Sequence, residues 1–155
     1  GYQYALDNNF DVMITFDADG QLPVDSLPFF IKGISNGADI VVGVRSNLPR
    51  FCEKFLGIFS NSLLDLQDPY CGMKAYRLGF CSIKKIFSTY NSIGTDLALT
   101  IALNGGFISN IPISIKIRSD QSRFGNRVTS EFRLFPSMFF GISRIVLYKL
   151  KTLFR

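Results

Sequence analysis

Two aspartates two positions apart, Asp17 and Asp19, close the apolar run 10–16, and Gly20 and Gln21 follow them. Carboxylates at that spacing reach one ligand from a single turn. Their hard oxygens suit Mg²⁺ or Mn²⁺, which in turn binds substrate phosphates. Gly20 permits a tight backbone, and Gln21 offers a further neutral oxygen. The competing reading is a solvated turn that uses Asp and Gly for turn propensity alone. The apolar, strand-like run in front of the motif favours the metal reading over that one. Arg45, after a second apolar run, either faces the same crevice or is a surface charge.

What is missing narrows the chemistry further. The 155 residues contain no histidine, which excludes Ser-His-Asp and Cys-His catalysis and histidine-bearing zinc sites. The three cysteines, Cys52, Cys71 and Cys81, form no CxxC pair and read as reduced thiols in a cytosolic setting, with Cys71 a packing residue. With 47% apolar and 19% charged residues, the chain is rich enough to bury a core and is not disordered. Reactive groups must therefore come from Asp, Glu, Lys, Arg, Ser, Tyr, the backbone or a hard metal.

Positioning such groups requires a framework, and the patterning supplies one. Residues 1–8 read as a helix, 10–16 as a buried strand, 23–35 as a helix with Pro23 near its start, and 39–44 as a strand. Residues 51–65 have helical spacing, 72–76 read as a short strand, and 78–87 as a helix. A helix over 95–103 with Thr95 as N-cap, a strand over 107–117 and a polar loop over 118–127 follow. A long apolar-basic helix over 131–154, with Pro136 near its start, ends the chain. Strands alternating with helices predict an α/β fold, and in such sheets ligands bind beyond the strands' C-terminal ends, where Asp17 and Asp19 lie.

Charge is unevenly spread. Residues 1–110 carry 8 basic and 10 acidic side chains, a net of −2; residues 111–155 carry 9 and 2, a net of +7. The basic residues of the C-terminal helix are interleaved with Phe, Ile and Leu, and its longest uncharged run, 134–143, is ten residues. A membrane-spanning helix needs about 20. The pattern predicts an amphipathic helix lying on an anionic membrane surface, with packing against the sheet as the alternative. No nucleic-acid motif is present, and no nucleic-acid partner is expected.

An apolar strand followed by DxDG resembles two families. Haloacid-dehalogenase-type phosphatases place Thr where Gln21 stands and add a downstream Asp pair not found here. The likeness to family 2 glycosyltransferases of the polyprenyl-phosphate sugar synthase type extends further. It runs through Asp17-Ala-Asp-Gly-Gln21, Pro23, Gly37-Ala-Asp-Ile-Val-Val-Gly-Val-Arg45 and Asp68-Pro-Tyr-Cys-Gly-Met-Lys-Ala-Tyr-Arg77. Gly94-Thr-Asp-Leu97, Ile111-Pro-Ile113, and Arg118 with Ser122-Arg-Phe-Gly125 complete it, over roughly residues 1–130.

The resemblance implies a partial GT-A fold: a Rossmann-like, mixed and mainly parallel sheet flanked by helices, with a C-terminal amphipathic helix. It implies a catalytic domain over 1–130, N-terminally truncated, and a membrane-associated helix over 131–155. Asp17, Asp19 and Gln21 would hold the metal, while Arg45, Arg118, Ser122 and Arg123 would bind donor or acceptor phosphates. Asp96 is the candidate general base, needed only if the acceptor is a hydroxyl, and otherwise a helix-start carboxylate. Asp68 would position substrate or start a turn, and Lys74 and Arg77 would touch phosphate or solvent. The implied reaction moves a hexose from a nucleotide sugar to a polyprenyl phosphate, a lipid-linked sugar or a polysaccharide, at the cytoplasmic face of a membrane. The βαβ unit that holds the nucleotide base in that family is not found here, so a partner chain supplying it, or a non-catalytic remnant, is the alternative.

Overall fold

Ile40, Val41 and Val42 are all fully buried, yet they serve opposite halves of the interior. Successive strand residues face opposite sides of a sheet, so a strand apolar at every position is one covered on both faces. The computed structural model describes residues 1–83, 93–116 and 127–153, with the backbone alone for residues 93 and 127–130. In chain order the elements are α1 (Tyr2–Asp7), β1 (Val12–Thr15), α2 (Leu27–Ser35) preceded by a 3₁₀ turn at Val24–Ser26, and β2 (Ile40–Arg45). Next come α3 (Phe51–Leu64), β3 (Lys74–Arg77), α4 (Leu78–Ile83), α5 (Ile93–Leu103), β4 (Ile108–Ile113) and α6 (Arg127–Leu153).

The four strands form one sheet in the order β1-β3-β2-β4. β3 runs antiparallel to both β1 and β2, while β2 and β4 are parallel. Three strands thus point the same way, as expected of a mainly parallel sheet, but two of the three pairings are antiparallel. The sheet is mixed because β3 returns between β1 and β2, opposing Val12↔Arg77 on one side and Ile40↔Tyr76 on the other.

One face packs on α2 through Phe30, Ile34, Val41, Met73, Ala75 and Ile113. The other face carries Ile40, Val42 and Tyr76 and is covered by Leu56 of α3, Leu97 and Ile101 of α5, and Met138 and Ile145 of α6. Truncating a fully buried leucine such as Leu56 to alanine costs about 2–5 kcal/mol at such sites.

Several boundaries differ from those expected: α2 begins at Leu27 rather than 23, β1 is Val12–Thr15 rather than 10–16, and β3 is Lys74–Arg77 rather than 72–76. α5 begins at Ile93, so Thr95 lies inside its first turn and is not the N-cap. α6 begins at Arg127 rather than Glu131, which puts Pro136 in the helix interior. β4 ends at Ile113, short of residue 117. Among the described residues no helix is long and apolar enough to cross a membrane.

Candidate functional site

Because β1, β2 and β4 point the same way, their C-terminal ends share one edge of the sheet, the edge where ligands bind in α/β folds. That edge gathers the turn after β1, Arg45 at the end of β2, the loop 68–72 that leads into β3, and Lys116 beyond β4.

The turn after β1 is fixed from three directions. Thr15 Oγ1 donates to the carbonyl of Gly72 at 2.9 Å, tying the strand end to the loop. Asp17 then lies directly across Gly72: a Cβ added there would stand 1.9 Å from Asp17 Oδ2. Only glycine leaves room for that carboxylate. Asp19 Oδ1 accepts the amide of Gln21 at 3.1 Å, closing an Asx turn, with Gly20 at φ +75°. Asp17 and Asp19 are both exposed to solvent.

Gln21 works as a tether. Its Nε2 donates to the carbonyl of Lys116 at 3.2 Å, and its own carbonyl accepts the Lys116 amide at 3.0 Å. The chain beyond Lys116 therefore departs from beside the Asp17–Asp19 turn. Arg118, Ser122 and Arg123 lie outside the described residues.

Arg45 and Asp68 meet each other. Arg45 Nε and Nη2 donate to the two carboxylate oxygens of Asp68 at 2.7 and 2.9 Å, and the Arg45 amide adds a third bond at 3.3 Å. Nη1 of Arg45 reaches Glu53 at 3.3 Å, and Glu53 also accepts from Arg50 Nη1 at 2.9 Å. Asp68 and Glu53 are buried. Burial alone would lower the Arg45 pKa, but the bonds to Asp68 and the charge of Glu53 more than reverse that and raise it. The guanidinium fork is thus committed to protein carboxylates, and the network makes the floor of the site rigid.

Lys74, open in the sequence to phosphate or solvent, does neither. It is 2% exposed, faces the same side of the sheet as Tyr76, and donates from Nζ to the carbonyl of Cys71. Burial pushes its ammonium below the ordinary range, against the pull of Cys71, Asp68 and Asp17. Arg77 likewise turns inward, bonding the carbonyls of Ala38 at 3.1 Å and Ile34, with Asp39 at 3.5 Å. Cys71 is fully buried, as its packing role requires, and burial pushes its thiol pKa up.

Asp96 sits in the first turn of α5, where Arg144 of α6 binds its Oδ1 and reaches Thr100 Oγ1 at 2.9 Å. The carboxylate is thereby part of the tie between two helices. Glu53 and Arg144 are the partners that sequence reasoning did not assign, and Lys74 is one it assigned to phosphate or solvent. The alternation of β3, which puts Lys74 on the face of Tyr76, is the one local signal that points to the burial of Lys74.

The donor set of the turn fits a hard divalent cation. Two carboxylates open to solvent can share one ion and leave its other positions to water and substrate oxygens, the usual habit of Mg²⁺. Among the described residues no group of three or more His, Cys, Asp or Glu side chains is placed to hold a metal without such help.

No protein-family profile matches the chain. A dolichol-phosphate mannosyltransferase of Pyrococcus furiosus is 28% identical over 126 residues, covering 70% of this chain and 34% of that protein. Among solved structures, glucosyl-3-phosphoglycerate synthase from Mycobacterium tuberculosis in complex with phosphoglyceric acid superposes with a TM-score of 0.59 at 14% identity, over 83% of this chain and 49% of that one. A second M. tuberculosis structure of that synthase gives 0.58 over the same shares. The chain spans about a third of the length of the curated relative and about half of the solved one. Its mixed sheet and flanking helices make it a chain of family 2 glycosyltransferase-like, GT-A-type fold.

Proposed function

We propose that this chain carries the metal and acceptor side of a glycosyltransferase that moves a hexose from a nucleotide sugar to a polyprenyl phosphate, with a lipid-linked sugar or polysaccharide as the other acceptor class. The observation that carries the reading is the turn after β1: two exposed carboxylates, Asp17 against Gly72 and Asp19 closing an Asx turn, joined through Gln21 to the chain beyond β4. Asp17 and Asp19 would hold Mg²⁺ or Mn²⁺, which when bound neutralises charge on the leaving nucleoside diphosphate. Gln21 tethers the site through its Nε2, which donates to Lys116, and its Oε1 would supply the neutral oxygen ligand. Arg45 and Asp68 hold the loop 68–72 in place rather than binding substrate. The phosphate contacts fall to Arg118, Ser122 and Arg123.

The pairing of Asp96 with Arg144 favours the polyprenyl phosphate. The Asp96 carboxylate is engaged in the tie between α5 and α6, and a phosphate acceptor is already an anionic nucleophile that needs no base. Such an acceptor calls for a membrane surface, and we place the molecule peripherally at the cytoplasmic face of one. The part that holds the nucleotide base is further polypeptide, in the same or a partner chain. Its seat is the outer edge of β1, which among the described residues pairs only with β3 and leaves Val12, Met13 and Ile14 half-buried.

Calorimetric titration with uridine and guanosine diphosphates, with and without Mn²⁺, tests the reading alongside Asp19→Ala. The expected result is binding that requires Mn²⁺ and falls at least tenfold in the variant, the loss of about 1.4 kcal/mol or more. Metal-independent binding, or binding indifferent to Asp19, would overturn the assignment. Absence of binding in a folded chain favours the reading as a non-catalytic remnant or partner-dependent half.

A further inference from the structure

Of eighteen large apolar side chains exposed among the described residues, eleven lie on α3 and α6. On α6, Phe132, Phe135, Phe139, Val146, Leu150 and Leu153 recur at helical spacing and form one outward stripe. At 1.5 Å per residue the stripe is about 32 Å long. It is separate from the side of α6 that carries Met138 and Ile145 into the core. The helix therefore has two apolar faces, and the described residues cover only one.

α3 continues the exposed surface. Phe51, 62% exposed, stacks on Phe55 with centroids 5.6 Å apart, and Phe55 meets Phe59 at 5.9 Å. The two helices are locked together where these runs begin. The Glu131 carboxylate of α6 accepts the amides of Phe51 and Cys52, the latter at 3.1 Å, so Phe51 is bonded to the residue next to Phe132. Farther along, α6 lies close on α3 at Gly141, where an added Cβ would come 3.1 Å from Leu56 Cδ1.

Charge selects the occupant. Glu53 and Glu131 are the only acids on the two helices. The first is buried among Arg45 and Arg50, and the second caps α3. Lys54, Arg133 and Lys151 are exposed cations on the same two helices, Lys149 is a half-buried one, and neither helix has a further carboxylate. Exposed aromatic residues on helices whose remaining charges are cations suit anionic lipid, with the exposed Asp65 just past the end of α3 the nearest acid in the chain.

We propose that α3 and α6 together form one lipid-facing surface, with Phe51 and Phe55 entering an anionic bilayer beside the α6 stripe. The inference rests on the peripheral membrane placement given above and assigns the contact to two helices rather than to the C-terminal helix alone.

Flotation of the full chain with phosphatidylcholine vesicles, with and without phosphatidylglycerol, tests it. The variants are Phe51→Ser/Phe55→Ser on α3 and Phe135→Ser/Phe139→Ser on α6, each checked by circular dichroism and nucleoside diphosphate titration. The expected result is binding that needs the anionic lipid and drops about 10- to 100-fold in both variants, the scale of two withdrawn phenylalanines. Loss confined to the α6 variant would overturn the two-helix surface. Failure of the native chain to bind vesicles while it still binds nucleoside diphosphate would overturn the membrane assignment and leave the transferase reading standing. Self-association that disappears in the α3 variant, seen by sedimentation, would assign the face to a second copy and also overturn the proposal.

Discussion

Asp68 and Arg45 stand 23 residues apart in the chain and meet in a bidentate pair under the site. Nothing local in either segment announces the pairing, because it depends on β2 and the loop before β3 being brought to the same sheet edge. The aspartates of the turn were legible as a pair because their chemistry is written in adjacent positions. The contact of Asp17 with Gly72 was not, since it joins segments 55 positions apart. That contact makes a sharp expectation. Gly72→Ala puts a methyl into the space of the Asp17 carboxylate, so that side chain must swing aside. Displacing the end of an exposed side chain costs little, within about 1 kcal/mol. Urea denaturation is expected to show a loss in that range, and Mn²⁺-dependent nucleotide binding to weaken at least tenfold. Unchanged metal dependence in a stable Gly72→Ala chain would show that Asp17 is not a ligand.

At the scale of elements, α3 and α6 are coupled through Cys52 as well as through Glu131. The Cys52 thiol donates to the Glu131 carbonyl at 3.7 Å and is buried. Burial first, and a hydrogen bond with the Glu131 side chain second, push its pKa up to about 11. A group whose folded pKa is raised keeps its proton more tightly when folded, so its stabilisation is intact below the ordinary thiol range and is lost as pH rises toward 11. Denaturation midpoints are expected to fall between pH 8.5 and 11, and to fall less in Cys52→Ala; identical slopes would exclude the thiol as the cause. Helical spacing revealed both helices in the sequence, and apolar runs revealed the strands, because each signal is local. The direction of β3 was hidden, since an isolated four-residue strand carries no mark of the neighbour it will pair with. The same limit explains Lys74, a charged residue whose burial follows only from which face of β3 is covered.

Across the whole molecule, order is graded from one side of the sheet to the other. β2 lies between β3 and β4, with Ile40, Val41 and Val42 fully buried, whereas β1 stands at the edge and is half-buried throughout. Edge strands leave alternate backbone groups unpaired. Native-state hydrogen exchange is expected to place the β2 amides near the global unfolding limit and the outward-facing β1 amides well below it. Slow exchange along both ladders of β1 would mean that another strand already occupies its outer side.

The tether between Gln21 and Lys116 has one more consequence, for the order in which the molecule is made. Its two hydrogen bonds close a segment spanning 95 residues. Contacts of such long sequence separation carry a large loop-closure entropy and form after nearer ones have shortened the path between their ends. The carboxylate turn is therefore completed late, once β4 has docked beside β2. On a ribosome the turn is completed only after residue 116 has emerged, so the proposed cation site would form with β4 already in place.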